Sequence, residues 1–322
     1  MPETDRTLLE AELSQQPVAT SDGLVHAGPL SRRRTGRIAR AVTGVARNTV
    51  ATVAIAELAA VILLAIFAPV VSPQRLGYQQ IDLSHVLAPP VWAGGTWARP
   101  LGTDQLGRDV FTLLAYGART SMTVAISVVL IGSTVGTLLG LLAGYFGGWL
   151  DAVVSRLAET QLSLPLMVVG LVVVVAFGPS LVTIVAVIVF VSWVSYARVV
   201  RAETLVHRET DFVALSIVAG ARWYRILYRE LLPNIRSSVI VLASLNFGSA
   251  ILDEAALSYL GLGIQPPQSS WGLMVNTYRL YITSAPGLVF FPAAILALTA
   301  LSANVLGDFL RERLDPRLQR IG

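Results

Sequence analysis

DFVALSIVAGARWYRILYRELLPN, residues 211–234, decides how this chain is interpreted, because it is a patterned polar segment between two hydrophobic stretches. Its parts predict a helix, a break at Gly220, a second helix and a stop at Pro233. Apolar residues recur in both helices, and arginines are interleaved with them in the second: Phe212, Val213, Leu215, Val218 and Ala219, then Trp223, Ile226, Leu227 and Leu231 with Arg222, Arg225 and Arg229. The pattern predicts a short helical hairpin whose apolar and basic edges suit a groove on a soluble partner.

The rest of the chain has the composition of a membrane protein. It is 54% hydrophobic and 14% charged, with a mean hydropathy of +0.65, whereas soluble domains carry about 25% charged residues. Six segments approach the ~20 residues that a helix needs to cross ~30 Å of hydrocarbon. We therefore predict an all-α polytopic protein, with kinks at Pro165 and Pro292 and with spans at residues 49–71, 121–143, 153–177, 181–198, 237–262 and 287–309.

The distribution of arginine predicts how these spans are oriented. All 24 basic residues are arginine, and with the amino terminus inside, 19 of them fall on the inner side. Five fall outside: Arg75, Arg99, Arg108, Arg119 and Arg279. The positive-inside rule then places both termini and the 199–236 loop in the cytoplasm.

The remaining segments complete the expected organisation. Residues 1–31 are polar without the apolar core of a signal peptide, which predicts a disordered cytoplasmic tail. Residues 32–48 carry either an amphipathic helix on an anionic leaflet or plain topogenic charge. After the span at 49–71 we expect an extracytoplasmic loop at 72–120. A five-span core at 121–310 and a cytoplasmic tail at 311–322 follow.

Missing residue types exclude several chemistries. Without lysine the chain has no phosphate-binding P-loop and no Schiff-base nucleophile. Without cysteine it has no disulfide or thiolate, and His26, His85 and His207 fall in separate segments, so no metal site is expected. We therefore predict a non-catalytic chain that conducts passively, uses an ion gradient or takes energy from a partner.

Residues 211–234 resemble the coupling loop of importer-type ABC-transporter permeases. The match rests on a glycine followed by an Ile before Leu-Pro, although the Glu-Ala-Ala of that family is replaced by Ala214, Leu215 and Ser216. Four further stretches resemble the C-type permease of dipeptide and oligopeptide importers: Pro100–Met122, Gly144–Arg156, Ile251–Met274 and Leu306–Leu318. Together the resemblance covers about residues 47–318.

The resemblance implies a six-helix permease of the type I importer fold in the plasma membrane of a bacterium. It implies a homologous B-type permease as partner, two ATPase subunits or one fused chain, an extracytoplasmic solute-binding lipoprotein and a peptide substrate. ATP and Mg would bind the partners, this chain would hold no cofactor, and no nucleic acid is involved. The residues implied in coupling to the ATPases are Asp211, Phe212, Ala214, Gly220, Ala221, Arg225, Ile226, Leu232 and Pro233.

Polar and small residues within the spans suggest further roles. Gly132, Gly136, Gly140 and Gly144 form one smooth face, for packing within the chain or between subunits. LGTDQLGRD, residues 101–109, predicts an ordered turn or helix cap that acts as a structural clamp. Glu57 predicts a hydrogen bond to a neighbouring helix. A polar stripe either lines the translocation pathway or forms a structural network between subunits: Asn246, Ser249, Asp253, Glu254 and Ser258.

Two alternatives remain open from the sequence. The same importer machinery could carry nickel chelates, glutathione, haem or sugars, because the binding protein usually selects the cargo. A secondary transporter or channel would instead use Glu57, Asp253 and Glu254 as an ion relay.

Overall fold

A computed structural model describes residues 49–71 and 81–314 of the 322-residue chain. The expected tail at 1–31, the basic segment at 32–48 and the end of the carboxy-terminal tail lie outside the described residues, as does the 72–80 part of the loop. In the described part the chain is helical without a β-sheet, and one isolated bridge pairs Thr103 with Asp109.

Ten α-helices make up the described fold. They are α1 Thr49–Val71, α2 Val110–Phe146, α3 Gly148–Leu162, α4 Leu166–Phe177, α5 Leu181–Arg208, α6 Asp211–Val218, α7 Trp223–Ile226, α8 Leu232–Tyr259, α9 Trp271–Tyr278 and α10 Gly287–Leu314. Short 3₁₀ turns lie at Leu83–His85, Val91–Ala93 and Arg279–Tyr281, and a π-helical turn at Leu227–Leu231 joins α7 to α8.

Five helical segments are long and apolar enough to cross a membrane: α1, α2, α5, the continuous α7–α8 run and α10. A sixth crossing exists if α3 and α4 count as one span, but these two helices meet at 91°. The bend predicted at Pro165 is present, but it is a break between two helices rather than a kink within one helix. Pro165 has an extended backbone and immediately precedes α4. A proline has no amide hydrogen to donate within a helix, and it disfavours helical geometry in the residue before it. α10, in contrast, continues through Pro292.

The closest helix packing in the described fold joins α2 and α5. A Cβ atom added at Gly136 would lie 2.4 Å from the carbonyl oxygen of Trp193 and 2.6 Å from the Cβ of Tyr196. Gly132, Gly140 and Gly144 face α5 in the same way, so all four glycines pack within the chain. This is how small residues let helix backbones approach where lipid offers no hydrophobic driving force.

A polar clamp closes the bundle at the end where α2 begins. Asp104 is fully buried and accepts hydrogen bonds from the Arg108 guanidinium at 2.7 Å and from the Tyr278 hydroxyl at 3.0 Å. Its other oxygen accepts from the backbone amides of Leu106 and Arg108. Asp109 then caps α2 by accepting from the Thr112 amide at 2.8 Å. The 101–109 segment thus joins the start of α2 to α9.

Candidate functional site

A helical hairpin formed by α6 and α7 protrudes at the opposite end of α2. Gly220 makes its turn with φ of +75°, a left-handed conformation that favours glycine, and nothing lies within 4 Å of a Cβ placed there. The turn closes with the Gly220 amide donating to the Ile217 carbonyl at 2.9 Å and the Ala221 amide to the Ser216 carbonyl at 3.0 Å. The geometry is that of a glycine-terminated helix followed at once by a second one.

The inner face of the hairpin is part of the protein core. Val213 of α6 and Ile226 of α7 are almost completely buried, and they pack with Leu141 of α2 and Val200 of α5 in one apolar cluster. Leu227 and Leu231 of the π turn belong to the same cluster. The hairpin is therefore fixed to the ends of α2 and α5.

The outer face of the hairpin exposes large apolar side chains. Val218 is 86% exposed, Tyr228 73% and Leu215 68%, and Arg225 and Arg229 lie beside Tyr224 and Tyr228 in a shallow open groove. An exposed cluster of this kind, edged by positive charge, is typical of a docking surface.

The expected helix stop at Pro233 is wrong. α7 continues through the π turn into α8, and Pro233 lies in the first turn of α8. The wider π turn lies just before Pro233, where the proline ring would otherwise clash with the backbone carbonyls of the preceding turn. The side-chain amide of Asn234 donates to the Glu230 carbonyl there. The hairpin's second helix and the long α8 are consequently one helical run of 37 residues.

Aromatic side chains connect the hairpin to the end of α2. The rings of Phe146 and Trp223 pack edge to face with centroids 5.5 Å apart, and Trp223 packs similarly on Tyr224 at 5.8 Å. Phe146 is the last residue of α2, before Gly147 and Gly148 turn the chain into α3. The sequence analysis did not assign this contact.

The structure divides the implied coupling residues between the two faces of the hairpin. Ile226 faces the core, and Ala221 and Leu232 are partly buried beside it. The others are exposed: Asp211, Phe212, Ala214, Gly220, Arg225 and Pro233.

Glu254 of α8 lies in a sealed hydrogen-bond network. Its carboxylate accepts from the Ser121 hydroxyl of α2 at 3.0 Å and from the Ser258 hydroxyl at 2.6 Å, and both serines and Glu254 are fully buried. Ser270, which caps α9, is 3.5 Å from Ser258. The network joins α2, α8 and α9 within one chain, so Glu254 and Ser258 face no open path in this structure.

The other members of the predicted polar stripe lie elsewhere on α8. Asn246 donates to the Leu242 carbonyl at 2.9 Å and Ser249 to the Leu245 carbonyl at 3.4 Å, and Asp253 is only partly buried. The structure therefore separates these three residues from Glu254 and Ser258.

Glu57 of α1 belongs to a third location. It accepts a hydrogen bond at 2.9 Å from Thr299 of α10, a neighbouring helix. In the described part of the chain Glu57, Asp253 and Glu254 share no hydrogen-bond partner, so they do not form a continuous relay.

One buried amide was missed from the sequence. Gln161, at the end of α3, accepts from the Trp193 indole at 2.7 Å, and its amide donates to the Phe190 carbonyl. Gln161 stands among polar neighbours, Glu159, Thr160 and Ser163, so no local pattern distinguished it. The contact attaches α3 to α5 just before the 91° bend. Within the described residues no three His, Asp or Glu side chains are grouped as metal ligands.

Comparison with known proteins agrees with this architecture. The family described as binding-protein-dependent transport system inner membrane component matches residues 136–320. The chain is 42% identical over 275 residues to the dipeptide transport system permease protein of Escherichia coli (strain K12), covering 85% of this chain and 91% of that protein. It is 33% identical over 273 residues to the oligopeptide transport system permease protein of Bacillus subtilis (strain 168), covering 85% and 87%.

A third relative is named for a different cargo. The glutathione transport system permease protein of Pectobacterium atrosepticum is 39% identical over 226 residues, covering 70% of this chain and 75% of that protein. The three relatives share the designation of permease and differ in the solute for which they are named. The multi-pass helical chain described above belongs to the family of inner-membrane components of binding-protein-dependent transport systems.

Proposed function

We propose that this chain is a permease subunit of an ATP-driven importer of dipeptides and oligopeptides. It forms half of the pore with a homologous B-type permease, and two ATPase subunits, or one fused chain, bind its α6–α7 hairpin. An extracytoplasmic solute-binding protein delivers the peptide. The observation that carries the proposal is a hairpin with a buried inner face and an apolar, basic outer face.

The cargo and the orientation follow from separate observations. The permease relatives above are named for dipeptide and oligopeptide transport, which supports peptide as the substrate class. The glutathione relative supports a small peptide-like thiol as the second candidate. The arginine-rich hairpin end favours a cytoplasmic hairpin with both termini on that side. ATP and Mg bind the ATPases, and this chain contributes no catalytic group.

Residues on the two faces of the hairpin have different roles in coupling. Leu215, Val218 and Tyr228 supply the apolar contact with the ATPase, and Arg225 and Arg229 orient the hairpin on an acidic groove of that subunit. When the ATPases close, the buried inner face moves the ends of α2 and α5 with the hairpin. α8 moves with α7 because the two are one helical run. The pore then alternates between inward-facing and outward-facing states.

Uptake by proteoliposomes tests the proposal. They contain this chain with its partner permease, ATPases and binding protein, and the accumulation of labelled di- to pentapeptides is measured with and without ATP. We expect uptake that needs both ATP and the binding protein. ATP-dependent uptake of glutathione without uptake of peptides would reassign the cargo. Uptake driven by a proton gradient without ATPases would overturn the proposal.

A further inference from the structure

A cleft between α3 and α5 lies apart from the hairpin surface and the buried Glu254 network. It encloses about 300 Å³. Its floor is apolar, and its rim carries Ser155 and Glu159 from α3 and Arg198 and Arg201 from α5. No role assigned above uses this cleft.

One of the two arginines at the rim of the cleft has no acidic partner among the described residues. Arg201 pairs with Asp151 by donating from Nε to one carboxylate oxygen and from Nη2 to the other, the second contact at 2.6 Å. Glu159 pairs with Arg156 at 3.2 Å. Each nearby carboxylate therefore already has its own arginine. The Arg198 guanidinium is left without a hydrogen bond or ion pair to any residue in the described ranges 49–71 and 81–314.

The position of Arg198 along α5 places it near a boundary of the hydrocarbon layer. It follows Leu181, the first residue of α5, by seventeen residues, which corresponds to about 26 Å along the helix axis. A bilayer core is about 30 Å thick, and lipid phosphates lie just beyond it. On α3 the apolar Val153 and Leu157, next to the cleft-lining Val154 and Ala158, are 45% and 58% exposed. The cleft is thus continuous with an apolar surface of the bundle.

We propose that this cleft binds the headgroup of one anionic phospholipid, with the phosphodiester on Arg198 and the acyl chains along Val153 and Leu157. A guanidinium presents paired donors that match two phosphate oxygens. Ser155 supplies a hydroxyl at the same rim, since its contact with Asp151 is long at 3.5 Å. Basic pockets between membrane helices at this depth recognise anionic headgroups. The proposal does not depend on the cargo or on the ATPases.

Native mass spectrometry of the assembled permease complex tests the proposal. The complex is purified in detergent, exchanged into phosphatidylglycerol or phosphatidylcholine, and the lipid retained per complex is counted. We expect the wild type to retain one more phosphatidylglycerol than Arg198→Ala, and we expect Arg198→Lys to restore much of that retention. Arg236→Ala is the matched control, because it also removes one exposed arginine at the hairpin end but lies outside the cleft.

Several results would overturn the site. These are equal retention by wild type and Arg198→Ala, equal retention of phosphatidylcholine, and an equal loss in Arg236→Ala. Displacement of the lipid by millimolar inorganic phosphate would show a phosphate site rather than a lipid site. A cysteine pair that cross-links position 198 to the partner permease would show that protein covers the cleft. The unfolding temperatures of Arg198→Ala and Arg198→Gln establish that the variants are folded.

Discussion

The Ser121 hydroxyl donates to the Glu254 carboxylate at 3.0 Å, although the two residues are 133 positions apart. With Ser258 they hold α2 and α8 together, and all three side chains have no solvent-accessible surface. Glu254 is thereby a structural acceptor between helices.

Replacing Glu254 should therefore lower the stability of the fold, and the loss should grow with the number of hydrogen-bond acceptors that the substitution removes. Glu254→Leu removes the carboxylate to which the Ser121 and Ser258 hydroxyls donate, at about 1–3 kcal/mol for each buried donor that is left without an acceptor. Glu254→Gln keeps a carbonyl acceptor and should cost less. Thermal unfolding of the purified complex in detergent measures the order, with Ser249→Ala as control because that hydroxyl bonds only to its own helix. A Glu254→Leu variant as stable as wild type would contradict the structural role.

Gly136→Val should separate α2 from α5. Its Cβ would meet the Trp193 carbonyl oxygen at 2.4 Å, and overpacking of this kind costs about 1–3 kcal/mol. We expect a lower yield of folded protein and a lower unfolding temperature. Thr134→Ala on the exposed face of α2 is the control. If Gly136→Val matched that control, α2 and α5 would not be in close contact in the assembled protein.

Gly220→Val should uncouple ATP hydrolysis from import while the chain still inserts. The site has open space, so the defect comes from φ of +75° alone, which costs about 1–2 kcal/mol for a residue with a Cβ and more for a β-branched one. Gly220→Asn is the matched variant, because asparagine tolerates this conformation. We expect peptide uptake and substrate-stimulated ATPase activity to fall in Gly220→Val and to be largely kept in Gly220→Asn. Normal transport by Gly220→Val would refute the coupling role of the hairpin.

The clamp at the start of α2 should weaken at alkaline pH. Burial raises the pKa of the Tyr278 hydroxyl above its ordinary value of 10.0, and the Asp104 carboxylate raises it further. Because the folded pKa is the higher one, the stabilisation is complete below pH 10 and declines as the pH rises above it. Unfolding temperatures between pH 7 and 11 should fall more steeply for wild type than for Tyr278→Phe. Parallel curves would show that Tyr278 does not contribute to the pH dependence.

The hairpin and most of the spans were predictable from local patterns. Gly220 predicted the turn because a glycine between two amphipathic segments is typical of a helix end. Glu57 has the neighbouring-helix partner that an isolated membrane carboxylate requires. The spans needed only length and hydropathy. These features depend on residues close together in sequence.

The features that the sequence did not predict depend on a local change of helix geometry or on distant residues. Pro233 predicted a stop, but the π turn and the Asn234 side chain accommodate it within a continuous helix. The location of Glu254 depends on Ser121, which the sequence places in another helix. The break before Pro165 is fixed to α5 by Gln161, whose partners are Trp193 and Phe190. No local pattern could have identified these partners.

In the uninterrupted helical run from Trp223 to Tyr259, the hairpin's second helix is the short end and α8 is the long one. The 37 residues of the run extend roughly 55 Å, so a tilt of about 10° at the π turn displaces the far end by several ångströms. That end adjoins Ser258 and the Glu254 network, which attaches it to α2 and α9. In the proposed coupling, a small rotation of the hairpin would therefore be carried along this helix to α2 and α9 at the opposite side of the bilayer.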